Sequence, residues 1–115
     1  MTRFRFRAAI AAAFSAALIL VNVHPASAQA GPNCRRGYFC TWDQRNYQGT
    51  QHDYYFCNDW QVMDFAGLGS YFNNQTGGAR ATFYDEERRS LGQSLPPGQG
   101  DTEYYWGPVF FIDPC

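Results

Sequence analysis

The chain contains no lysine, two histidines and two methionines. His24 falls in the N-terminal apolar stretch, so His52 is the one imidazole beyond residue 28. General acid–base or nucleophilic chemistry needs a poised base beside a hydroxyl, a thiol or a tuned pair of carboxylates. Ser70, Ser90 and Ser94 lie in no nucleophile-elbow context, and Glu86-Glu87 runs straight into Arg88-Arg89 as a solvated turn would. We therefore expect no catalysis. Beyond residue 28 six arginines, at 35, 36, 45, 80, 88 and 89, face ten carboxylates, a formal charge of −4. A nucleic-acid partner normally requires a clustered basic face, and that is missing. The four cysteines lack the paired Cys-x-x-Cys spacing of a zinc site. Frequent alanine and arginine without lysine read as the composition of a GC-rich bacterial genome.

Only one long apolar run is present, at the N-terminus. Arg3, Arg5 and Arg7 precede an apolar segment over residues 8–23, and Ala26-Ser27-Ala28 offers a small-x-small cleavage site. Residues 1–28 read as a signal peptide, with a cut after Ala30 as the alternative. The remainder is then secreted to the extracellular side and meets no membrane after cleavage. It starts with a flexible leader over residues 29–33 and continues as one small domain over 34–115. A chain this short builds a marginal core without covalent help. Four cysteines in an exported chain imply two disulfides, for which three connectivities exist. Cys34 with Cys40 is favoured because the five residues between them, including Gly37, can turn the chain back, leaving Cys57 for Cys115. On a chain-entropy model the two loops contribute about 2.4 and about 4.2 kcal/mol.

The pattern along the chain is that of short strands separated by turn chemistry. Residues 38–42 alternate as a half-buried strand, 43–46 form a turn, and 51–57 read as an aromatic strand. Residues 60–68 fit either a short helical turn or an irregular crossing. Gly and Asn dominate 69–78, which reads as turn throughout. Strands follow over 79–84, 90–95, 103–106 and 109–112, with a charged turn at 85–89 and a loop at 96–101. The halves are faintly alike: Trp42-Asp43 with Gly49 answers to Tyr84-Asp85 with Gly92, and residues 53–56 answer to 103–106.

Trp42-x-x-x-x-Tyr47-x-Gly49 resembles the folded-hairpin signature of βγ-crystallin Greek keys. Physically, Tyr47 folds back onto Trp42 across the turn, an aromatic pair worth about 1 kcal/mol beyond its area burial. Gly49 supplies a positive φ that a Cβ disfavours. Joined to Cys34-x-x-x-x-x-Cys40 and the export signal, the pattern resembles small secreted proteins grouped with the streptomycete metalloproteinase inhibitor. The resemblance implies an all-β, disulfide-stapled sandwich of two Greek-key motifs. It also implies inhibition of an extracellular metallopeptidase by a rigid loop, acting as a monomer.

The matching residues define the candidate sites. The fold motif is Trp42, Tyr47, Gly49, Tyr84 and Gly92, although Ser90 stands where the second hairpin should carry an aromatic. The candidate inhibitory loop is Ser94, Leu95, Pro96 and Pro97, with Leu95 shaped for an apolar pocket and the prolines restricting the backbone. The family's inhibitory loop is tied by a second close cysteine pair, whereas only Cys115 follows Cys57 here, so no reactive position carries over. Calcium is the ligand that crystallin likeness suggests. The nearest loop, Asn73, Asn74 and Thr76 followed by Gly77-Gly78, lacks both hydroxyl positions and reads as degenerate, so no metal or other cofactor is expected. Two further readings remain open: a crystallin-like structural or stress protein, and a cell-wall or carbohydrate-binding module that uses the many aromatics.

Overall fold

The computed structural model describes residues 32–115. The signal-peptide reading of 1–28 lies outside the described residues, as does all but the end of the leader. The described chain forms eight strands and one 3-10 turn: β1 (Phe39–Trp42), the turn Arg45–Tyr47, β2 (Gln51–Tyr54), β3 (Gln61–Val62), β4 (Leu68–Asn73), β5 (Thr82–Tyr84), β6 (Ser90–Gln93), β7 (Gln99–Tyr105) and β8 (Phe111–Asp113). The strands make two antiparallel four-stranded sheets ordered β2-β1-β4-β7 and β3-β8-β5-β6. Advancing each strand by four converts one order into the other, so the halves share one connectivity and each lends its third strand to the opposite sheet.

This relation corrects one part of the internal likeness. β2 corresponds to β6, and residues 103–105 belong to β7, the counterpart of β3. The aromatic similarity of 53–56 to 103–106 thus joins strands with different topological roles. Residues 60–68 resolve into the two-residue β3 followed by an irregular crossing.

The larger correction concerns residues 69–78. Their first half is β4, an interior strand of its sheet, and turn structure begins only after Asn73. The small and polar residues serve close packing here. A Cβ on Gly69 would collide with the Trp42 carbonyl oxygen and stand 2.6 Å from Trp106 Nε1. Ser70 donates its hydroxyl to the Gln44 carbonyl at 2.7 Å and accepts the Tyr47 amide at 2.9 Å, which holds the 3-10 turn against the sheet.

That turn explains why β1 is buried along its whole length, where alternation predicted a half-buried strand. Phe39 faces the inter-sheet core, in which its ring lies 6.0 Å from that of Phe83 on the other sheet. On the opposite face Cys40 and Trp42 pack under Tyr38, Tyr47 and Phe72. Within the main core the rings of Phe39, Phe83, Tyr104 and Trp106 all lie near Tyr71, with centroids 5.3 to 6.1 Å away. The disulfides join Cys34 to Cys40 and Cys57 to Cys115.

Replacing Gly69 with alanine should cost about 1 to 3 kcal/mol, because neither the Trp42 backbone nor the indole can retreat. Chemical denaturation would read this as a lower midpoint with an unchanged m-value. Burial also raises the phenol pKa of Tyr47, Tyr54, Tyr71 and Tyr104. Below the unfolded value of about 10 these groups are neutral in both states. Above it the unfolded chain releases protons that the fold retains, so stability falls as pH rises through the folded values. The melting temperature should therefore drop above about pH 10, together with tyrosinate absorbance.

Candidate functional site

The candidate loop is the link between the sheets, from the end of β6 to the start of β7. Ser94 is 1% exposed. Its amide donates to the Ala81 carbonyl at 2.8 Å, and its hydroxyl oxygen accepts the Ala81 amide at 3.1 Å. The hydroxyl in turn donates to the Leu95 carbonyl at 3.1 Å. β5–β6 pairing is in effect carried one residue further by a side chain.

Leu95 is pinned at both backbone groups. Its amide donates to Tyr71 Oη at 3.1 Å, and its carbonyl accepts Asn73 Nδ2 at 2.9 Å. The side chain remains 40% exposed. Pro96 and Pro97 then form a turn closed by the Gln99 amide donating to the Pro96 carbonyl at 3.1 Å, with Gly98 at φ +83°. Proline followed by a positive-φ glycine is the composition that a type II turn requires. The link lies against the sheets as a strap, with the Leu95 side chain directed outward.

Asn73 anchors both the strap and the loop that follows β4. Its amide nitrogen also donates to the Ala79 carbonyl at 2.9 Å, and its side-chain oxygen accepts the Gln75 amide at 3.1 Å. Asn74 donates to the Cys34 carbonyl at 2.7 Å, while Thr76 is exposed and its carbonyl accepts the Ala79 amide. Both asparagines thus organise backbone, and Asn73 is fully buried while doing so.

In the first hairpin Trp42 and Tyr47 meet edge to face at 5.1 Å, and Gly49 adopts φ +84° where a Cβ would strike the Asp43 side chain. The second hairpin is tighter. Asp85 accepts the Arg89 amide at 2.8 Å and its guanidinium at 3.0 Å. The backbone bond from Arg89 is the main cause holding the Asp85 carboxyl below its usual pKa. Gly92, opposite Phe83 beside a register shift, sits inside the pairing at φ +116° and so occupies a bulge, whereas Gly49 occupies a loop. Tyr84 faces outward, stacked under Trp60 at 3.9 Å. His52 lies beside Phe65 at 5.7 Å.

Of the two residues that fix Leu95, sequence reasoning missed Tyr71 and singled out Asn73 only as part of a calcium-type loop. Their signal is the alternation of Gly69, Tyr71 and Asn73 on one face of β4, masked by turn-forming residue types. Comparison with protein-family models, curated proteins and solved structures finds no significant match.

Changing Tyr71 to phenylalanine removes the acceptor of the Leu95 amide while keeping the core ring. It should cost about 1 kcal/mol and accelerate hydrogen exchange at Leu95, with amides of β1 unaffected beyond the global change.

Proposed function

We propose that this chain is a secreted, non-catalytic protein of the βγ-crystallin type that inhibits an extracellular peptidase through the Leu95 side chain. In each half the fourth strand returns beside the first while the third crosses to the other sheet, an arrangement that supports a Greek key divided between two layers. The observation that carries the functional reading is the strap: an exposed leucine on a backbone fixed by Tyr71, Asn73 and Ser94. A side chain presented in this way loses little entropy when it enters an apolar pocket.

One observation favours the structural alternative. The Leu95 amide and carbonyl are both spent inside the fold, so they are not offered for strand-like pairing in a protease cleft. In the inhibitory reading recognition then rests on the side chain alone. The purified protein should slow a thermolysin-type metallopeptidase at micromolar concentration, and Leu95→Ala should weaken this about 10- to 100-fold at an unchanged melting temperature, the worth of one buried leucine. If neither that peptidase nor a serine peptidase is slowed, the inhibitory reading is wrong and the structural one stands.

A further inference from the structure

A concave cleft of about 380 Å³ lies between the end of β2 and β3, a volume at the small end of ligand pockets. None of its lining residues belongs to the Ser94–Pro97 strap, so its assignment is independent of the peptidase reading. Two rings form one wall. Phe56 is 70% exposed and Tyr55 53% exposed, and they meet edge to face at 5.3 Å. Tyr55 is backed at 5.0 Å by Tyr38, over which the Arg35 guanidinium sits at 4.4 Å. The adjacent Cys57 is tied to Cys115, and the Asn58 amide donates to the Asp113 carboxylate at 3.0 Å. The ledge is therefore fixed from both ends, which keeps two apolar rings in water at a cost that burial against a partner would recover.

The lining is also rich in acceptors. Asp53, Asp59 and Asp64 all contribute, no arginine does, and none of the three enters an ion pair among the described residues. Asp53 accepts one bond, from Gln51 Nε2 at 2.8 Å. Gln61 and His52 are the other polar residues of the lining besides the tyrosines. An occupant must therefore bring donors and positive charge, together with an apolar face to cover the rings. A peptide backbone pairs every N–H donor with a carbonyl acceptor and carries no charge, so it adds no surplus of donors and no cation to the cleft. An anionic glycan would be repelled.

From this complementarity we infer that the cleft binds a glycan of amino sugars with free amino groups. The C–H face of a hexosamine ring covers Phe56 and Tyr55. Its hydroxyls and ammonium donate charge-assisted hydrogen bonds to the carboxylates, and the ammonium gains further attraction from the ring faces.

Titration calorimetry of the purified protein with a fully deacetylated glucosamine hexamer tests this, with the N-acetylated hexamer and an arginine nonapeptide as comparators. The expected result is saturable binding of the glucosamine hexamer, at least 10-fold tighter than the acetylated one. Phe56→Ala and Asp59→Asn/Asp64→Asn should each weaken it at least 10-fold while leaving the melting temperature unchanged. Absence of binding at millimolar hexamer overturns the proposal, as does binding indifferent to both variants. Tighter, Phe56-dependent binding of the arginine peptide would also overturn it and assign the cleft to basic protein segments.

Discussion

Covering β1 on both faces is the constraint from which most of this structure follows. A four-residue strand has too few side chains to anchor a sandwich if only alternate ones are buried, and here all four are. Phe39 faces the aromatic layer between the sheets, while Cys40 and Trp42 pack beneath a turn folded back over the outer surface. Such a turn needs partners for its backbone polar groups. Ser70 supplies two of them from the neighbouring strand. The space beneath must also be thin, which suits the small Ser70 opposite Trp42, while the neighbouring Gly69 leaves room for the Trp106 indole on the core side.

The disulfides act at the places this arrangement leaves weakest. Cys34–Cys40 ties the chain entering β1 to β1 itself, spanning Cα atoms 5.9 Å apart, and becomes part of the packing around Trp42. Cys57–Cys115 joins the connection after β2 to the chain end after β8, so it links the two sheets across 58 residues of sequence. On loop-closure arguments the longer link removes more freedom from the unfolded chain. A core of short strands and few aliphatic residues gains from such constraint.

The sequence was most legible where chemistry and local conformation agreed. Tyr47 over Trp42, the positive φ at Gly49, the charged turn before Ser90 and the all-β character could all be read from spacing. β4 was hidden because Gly69, Ser70 and Asn73 are turn formers by local preference and strand residues only by tertiary demand. The anchoring of Leu95 was hidden for the same reason, since its partners Tyr71 and Asn73 lie more than 20 residues away. Repeat matching went astray at 53–56 and 103–106 because both segments are aromatic. Even burial follows the match, with Tyr54 and Tyr104 in the main core and Tyr55 and Tyr105 outward; only the last position departs, Phe56 being exposed where Trp106 is fully buried.

β4 also connects the two surfaces on which binding is proposed. Its Tyr71 and Asn73 hold the strap, and its Ser70 holds the turn that seals β1; β1 in turn pairs with β2, whose end leads into the aromatic ledge. As proposed, the two surfaces call for opposite partners. Leu95 is an exposed apolar point that would enter a pocket elsewhere, while the cleft is a concave, acceptor-lined space that would take a donor-rich ligand. A formal charge of −4 beyond residue 28 favours the second encounter at long range and contributes little to the first, which rests on desolvation. Ionic strength would therefore separate them physically: screening weakens a cationic ligand in the cleft and leaves an apolar contact at Leu95 nearly untouched.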